Sequence, residues 1–384
     1  MQSSTLLRAF SIAAAAALGV ASGATAQAPK SVPLGRPDAT FAEPLSSPSG
    51  FRALDADRVL VSDNLEGAVA LWDFRAGTAT PIGRQGGGPG EYGMPGPLFA
   101  GGGDTTYMLD MGNRRLLVIT PAGGIASATI ALNHPSQIPV IPRAVDRQGR
   151  VYFDLAGIQM AQLNEMAKTG RAPLLRWDLK TGRTDTVAYV AFPPAAPVGP
   201  GEVRMSIGGR EPFEARDQWA VLPDGRVGVA RATPYRAEWQ GAAAPVVGPA
   251  VEYQPVRIGT AEKNAWADQA TRGIQVIVEN GQRRTQRAPR PDINRQQWPE
   301  TMPPFASPPN PVVASPAGEL WVLRTGPANA DTRVYDVFDG QGRRARRVTL
   351  EGERFVLGFG PGVVFVARRD DDDLVWVERY RIPA

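Results

Sequence analysis

Three observations predict an all-β chain folded as a six-bladed β-propeller with a helix-plus-loop insertion before the fifth blade. A turn-and-strand unit recurs six times, apolar residues alternate within each unit, and turn formers abound, with 42 glycines and 36 prolines in 384 residues. The units read "LDADRVLVSD" from Leu54, "GGGDTTYMLD" from Gly101, "VDRQGRVYFD" from Val145, "LPDGRVGVAR" from Leu222, "SPAGELWVLR" from Ser315 and "GFGPGVVFVA" from Gly358. In each, a period of two sends pairs such as Val59 and Val61, Val227 and Val229, or Val364 and Val366 to one face of a strand entered through a tight turn. Downstream, "LWDFRAGTAT" from Leu71 and "RWDLKTGRTDT" from Arg176 repeat a Trp-Asp strand and Gly turn, so each unit holds an inner strand, a middle strand and a closing hairpin. Four-strand units spaced by roughly 40 to 50 residues are blades stacked around a central channel.

Before the first unit, Met1 to Ala26 has the parts of a secretory signal: Arg8, the apolar run Phe10 to Val20, and Ala24-Thr25-Ala26 ahead of Gln27. An uncleaved anchor is the alternative, although the run falls short of the roughly 18 residues of a membrane span. The organisation expected is a signal peptide at 1–26, an extension at 27–38 and the propeller at 39–384, in a periplasmic or secreted monomer with no transmembrane segment after cleavage. The cysteine count is 0, which removes disulfides, thiolate metal sites and a lipid-attachment cysteine. A ring must also hide its edge strands. "ATFAEPLSS" from Ala39 is expected to supply the outer strand of the last blade, pairing residues near Phe41 with residues near Tyr380.

The stretch 259–310 breaks the repeat. Thr260 reads as an N-cap, Trp266, Ala270 and Ile274 recur four apart, and Gly281 reads as the C-cap, after which the prolines exclude regular structure. A helix and a long loop lying on one propeller face are expected. A small separate domain is the alternative.

"GPGEYG", Gly88 to Gly93, fits the G-x-G-x-x-G of a dinucleotide turn, but Met94-Pro95-Gly96-Pro97 cannot propagate the helix such a site needs. Instead, "GRQGGGPGEYGMPG" resembles the linker of NHL-like propellers, G-x-G-x-G-x-F-x-x-P, with Tyr92 at the aromatic place and Pro95 at the proline. The next blade matches the D-x-x-N-x-R-[IL] signature of that family at Asp110, Asn113, Arg115 and Leu116, and the other blades lose it. Independently of the family, Asn113 suits a tight turn and Arg115 can pair with Asp110.

No catalytic constellation stands out. One histidine, His134, is too few for a multi-His zinc site, and G-x-S-x-G is absent. The run Asp370 to Asp373 lacks EF-hand spacing and reads as a solvated hairpin turn. The cluster Arg283, Arg284, Arg287 and Arg290 lacks interleaved aromatics, and a net charge of +4 is small for this length, so nucleic acid is not an expected partner. The expectation is a non-catalytic module binding a protein or small molecule, with Arg84, Glu91, Tyr92, Asp110, Asn113 and Arg115 as ligand-binding candidates and no cofactor evident. The alternative is a lactonase- or esterase-like hydrolase resembling the gluconolactonase-like propellers. That resemblance implies one calcium-like divalent ion at the channel, with Glu91, Asp110 and Asn113 as candidate ligands.

Overall fold

The computed structural model describes residues 30–136, 140–154, 166, 168–191, 212–241, 244–272, 274–279, 282–305 and 311–382. The signal-peptide reading of residues 1–26 lies outside them.

Two short strands come first, β1 (Ser31–Pro33) and β2 (Ala39–Thr40). Blade I is β3 (Pro48–Ala53), β4 (Arg58–Asp63), β5 (Ala68–Asp73) and β6 (Thr78–Pro81). The Gly-rich linker follows, with the two-residue strands β7 (Arg84–Gln85) and β8 (Glu91–Tyr92) paired in parallel. Blade II is β9 (Pro95–Ala100), β10 (Thr106–Asp110), β11 (Arg115–Ile119) and β12 (Ile125–Ala131). Blade III is β13 (Ala144–Val145), β14 (Arg150–Phe153), β15 (Arg171–Asp178) and β16 (Thr184–Ala191), and blade IV is β17 (Gln218–Val221), β18 (Val227–Ala232), β19 (Tyr235–Gln240) and β20 (Val246–Val247). The insertion contributes helix α1 (Thr260–Thr271), the hairpin β21 (Ile274–Glu279) and β22 (Gln282–Arg287), and a 3-10 turn at Ile293–Arg295. Blade V is β23 (Val312–Ala314), β24 (Leu320–Leu323), β25 (Thr332–Phe338) and β26 (Arg344–Glu351). Blade VI is β27 (Arg354–Gly360), β28 (Val363–Arg369) and β29 (Val375–Arg381).

Each blade's first strand touches the first strands of both neighbours, in the closed circuit β3, β9, β13, β17, β23, β27 and back to β3. These six strands therefore line the channel. The alternating strands of the repeat, read from sequence as inner, are the second strands, one position further out. Both their faces are buried, because each blade is sandwiched between two others. Val59 and Val61 pack with Val363 and Phe365 of blade VI, while Leu60 between them packs with Leu98 and Met108 of blade II.

β2 supplies the fourth strand of blade VI. Ala39 stands opposite Arg379 and Thr40 opposite Glu378, Phe41 N–H donates to the Val377 carbonyl at 2.9 Å, and the Phe41 ring stacks on Trp72 of blade I at 4.1 Å. The expected closure between Phe41 and Tyr380 is thus present. A further strand was not anticipated from sequence: β1 pairs in parallel with β26, making blade V five-stranded.

In the insertion the helix is shorter than its sequence suggests. Its N-cap is Gly259, whose N–H donates to Glu262 Oε2 at 2.9 Å, and it ends with Arg272 as C-cap. Ile274, expected on the helix, opens β21. The β-branched residues Ile274, Val276, Ile277 and Val278 favour a strand over a helix. Among the described residues no helix is long and apolar enough to cross a membrane.

Candidate functional site at the loop end of the channel

Antiparallel order within a blade fixes which loops share an end. The turns between first and second strands, and between third and fourth, lie at one end; those between second and third strands, and between blades, lie at the other. The Gly-rich linker, the insertion, the loop of His134 and the run Asp370 to Asp373 all fall at this second end.

The linker residues are largely bonded to one another. Asp110, fully buried at the end of β10, accepts at Oδ1 from the N–H groups of Gly93, Met94 and Asn113, and at Oδ2 from Asn113 Nδ2 at 2.7 Å and Arg115 Nε at 3.1 Å. Arg115 also donates to the Glu91 carbonyl at 2.8 Å, and Tyr92 is buried at 2% exposure. Glu91 accepts from the Gly88 N–H at 2.9 Å and from Arg84 at 2.8 Å, which hold its carboxyl below the usual range. Gly86 sits at φ +157, and a Cβ there would fall 2.1 Å from the Glu91 carboxylate, so the loop needs glycine to receive that side chain. Asp110, Asn113 and Arg115 are therefore brought together as a brace for the linker. Arg84, with its side chain 81% exposed, faces solvent.

Sequence reasoning missed a second cluster. Arg143, entering the first strand of blade III, donates through Nη1 to Asp154 Oδ2 at 2.5 Å, and Trp219 Nε1 of blade IV donates to the same oxygen at 3.1 Å. The Arg143 guanidinium lies 4.5 Å over the Trp219 ring. Both strands line the channel, so a carboxylate and a guanidinium are fixed side by side at its mouth. Arg143 and Asp154 are eleven apart and lie outside any motif; "VYFD", with an acid ending the second strand as Asp63 and Asp110 do, was the one available signal. In blade I, Asp63 accepts from the Ser47, Leu65 and Glu66 N–H groups, while the adjacent Asn64 Oδ1 is buried without a partner among the described residues.

The insertion bridges this end. Glu262 Oε1 accepts from Ala328 N–H of blade V at 3.3 Å, Arg272 pairs with Glu353 at 2.5 Å and Asp373 at 3.2 Å of blade VI, and Arg287 donates to the Ser46 carbonyl ahead of blade I at 3.3 Å. On the other side, Trp298 lies 5.4 Å from Trp266 and 6.0 Å from Phe213, which precedes blade IV. The acidic run is thus not wholly solvated: Asp373 anchors α1, and Asp370 accepts from Trp376 Nε1 at 2.6 Å, which with backbone donors keeps its carboxyl low. Arg290 of the basic cluster is bonded to Asp268 and Asn264 of α1. A cavity of about 450 Å³ lies elsewhere, between β16 and blade IV; its Arg231 and Arg236 are already paired with Asp217 and Glu238.

For a divalent ion the donors do not converge among the described residues. Among the described residues no three His, Asp or Glu side chains stand together as ligands, and Asp110 and Glu91 are engaged as described.

No family model and no curated sequence matches the chain. It is similar to a gluconolactonase of Xanthomonas campestris, at 11% identity over 90% of this chain and 88% of that one, with a TM-score of 0.43. It is similar also to regucalcin, a calcium-binding protein of Agrobacterium tumefaciens (11% identity, 92% and 97% covered, TM-score 0.41), and to a protein of Bacteroides fragilis described as exported (11%, 88% and 92%, 0.48). Against the expectation of a non-catalytic binding module, a gluconolactonase stands among these neighbours, and the hydrolase alternative is taken up below as a proposal. At such identities the likeness speaks to the fold alone: the chain is an all-β, six-bladed propeller with one helical insertion.

Proposed function

We propose that the chain is a hydrolase of lactones or esters, working at the loop end of the channel beneath the insertion. The observation that supports it most is the pairing of Asp154 with Arg143 at the mouth, clamped by Trp219. A carboxylate there can take a proton from water, and a fixed guanidinium beside it can receive the negative charge that develops on an acyl oxygen. The insertion is anchored on blades V, VI and I at the same end of the ring, and exclusion of water there by a bound substrate would strengthen both effects. The gluconolactonase named above is similar in fold and suggests the substrate class. A divalent ion belongs to this reading only by analogy with that neighbour and with regucalcin, and no step is routed through it.

Three finer assignments go with the proposal. The NHL-like character rests on the linker and on the brace of Asp110, Asn113 and Arg115; Arg84 and Glu91 at its exposed edge are offered as contacts for an approaching ligand. Export rests on the signal-like residues 1–26.

The test is turnover of a panel of aldonolactones and simple aryl esters by the purified protein, with Asp154→Asn and Arg143→Gln beside it. Expected is hydrolysis by the parent and a kcat lower by about 10² to 10⁴ in Asp154→Asn, the usual share of a general base. Absence of turnover across the panel, or full activity in Asp154→Asn with an unchanged melting curve, overturns the reading.

A further inference from the structure

Blades IV, V and VI share a device that blades I to III lack. Opposite the second-strand residues Val229, Val322 and Val366, the third strands carry Glu238, Asp336 and Glu378; the corresponding partners in blades I, II and III are Ala70, Leu116 and Leu175. All three carboxylates are buried. In blade VI, Glu378 faces Arg354 at 2.8 Å and Arg368 at 2.7 Å, one acid for two bases whose side chains are 21% and 30% exposed, and accepts from the Tyr380 hydroxyl. In blade IV, Glu238 and Asp217 share Arg231 and Arg236, two acids for two bases.

Blade V differs. Asp336, fully buried, is surrounded by Arg347 at 3.1 Å, Arg324 at 3.2 Å and Arg344 at 3.5 Å, and accepts from the Tyr235 hydroxyl of blade IV at 2.9 Å. Among the described residues no second carboxylate pairs with these arginines, which leaves three cations against one anion. The side chains of Arg324 and Arg344 are only 12% and 15% exposed, and the Arg324 guanidinium lies against the rings of both Tyr235 and Tyr253. Of five buried side-chain polar atoms without a hydrogen-bond partner among the described residues, two are here: Arg324 Nε, and Arg344 Nη1, which faces Asp336 Oδ2 at 3.5 Å without forming a hydrogen bond to it. Buried cations in excess of their counter-charges are costly, and so are buried donors without acceptors.

We propose that the arginine cluster around Asp336, in the wedge between blades IV and V, is a binding site for a small doubly charged oxyanion, hydrogen phosphate or sulfate. Such an ion offers the two missing charges and acceptors for Arg324 Nε and Arg344 Nη1. The burial of both guanidinium groups favours the free inorganic ion over a phosphate or sulfate ester carrying an organic tail.

The experiment follows the melting of the full chain as sodium phosphate or sulfate replaces sodium chloride at constant ionic strength, with methyl phosphate and phenyl phosphate as ester arms. Expected is a melting temperature that climbs with phosphate and sulfate beyond the chloride control, less with the esters, and that no longer climbs in Arg344→Gln. If Arg344→Gln does not fold, Asp336→Asn decides: removing the one counter-charge leaves three arginines, so phosphate must stabilise this variant more than the parent. A merely structural role for the cluster gives instead a destabilised Asp336→Asn that responds to phosphate as to chloride. That result, or equal stabilisation of the parent by chloride and phosphate, overturns the proposal. A response to the esters as strong as to phosphate keeps the oxyanion site and moves its source to an organic phosphate.

Discussion

His134 shows how a residue without catalytic company can still leave a measurable mark. It is buried at 7% exposure between Trp177 and Phe153; Nδ1 accepts from the Ser136 N–H, and Nε2 meets the Thr184 hydroxyl at 2.7 Å. Burial lowers its pKa below the ordinary 6.5, so the folded chain binds fewer protons than the unfolded one in that range. The stability this contributes is complete above the unfolded pKa and is lost as pH falls through the folded one. Melting temperatures measured from about pH 7 to about pH 5 should therefore fall less steeply in His134→Gln than in the parent; an equally steep fall refutes the assignment. The sequence marked His134 as a plain loop residue, because nothing in "ALNHPSQIP" reveals Thr184, fifty positions away. Asp110 was legible, since its partners Asn113 and Arg115 lie within five residues. Asp110→Ala should cost about 3 kcal/mol in denaturant unfolding, as loss of one member of a buried ion pair does.

Among the elements, strands were easier to read than the insertion. A blade announces itself by alternation and a glycine turn, both local. The boundary between α1 and β21 depends on what Arg272 reaches, and its partners Glu353 and Asp373 belong to another blade. Only Ala267 of α1 is buried, so the helix is held to the propeller largely by polar contacts at its ends. Arg272→Ala should speed hydrogen exchange and proteolysis within 259–305 while the melting of the propeller changes little; a large fall in melting temperature would mean that the insertion is part of the core instead. The Asp154 pair escaped sequence reasoning for a related reason: its third member, Trp219, comes from the next blade and sixty-five residues on.

At the scale of the molecule, closure was predictable because an unpaired edge is costly and the last repeat lacks a strand. β1 was not, since three residues of "SVP" carry no alternation to read. Shortening the chain to begin after Thr40 should expose β29 and β26 along their outer edges. We expect a lower melting temperature and concentration-dependent association, checked by light scattering; an equally stable monomer would show that the two strands are dispensable.

The pairings of β1 and β2 also bear on the order in which the chain folds. Ser31 meets Arg347 and Ala39 meets Arg379, so these early strands can settle only after partners more than three hundred residues further along the chain exist. Blades I to IV consist of neighbouring hairpins that can form as they emerge, whereas joining the two ends closes a loop of more than three hundred residues. Loop-closure entropy makes such a step late and slow compared with hairpin formation. Refolding should accordingly be biphasic, with far-ultraviolet signal recovering before the environment of Trp72, the ring on which Phe41 stacks, becomes native.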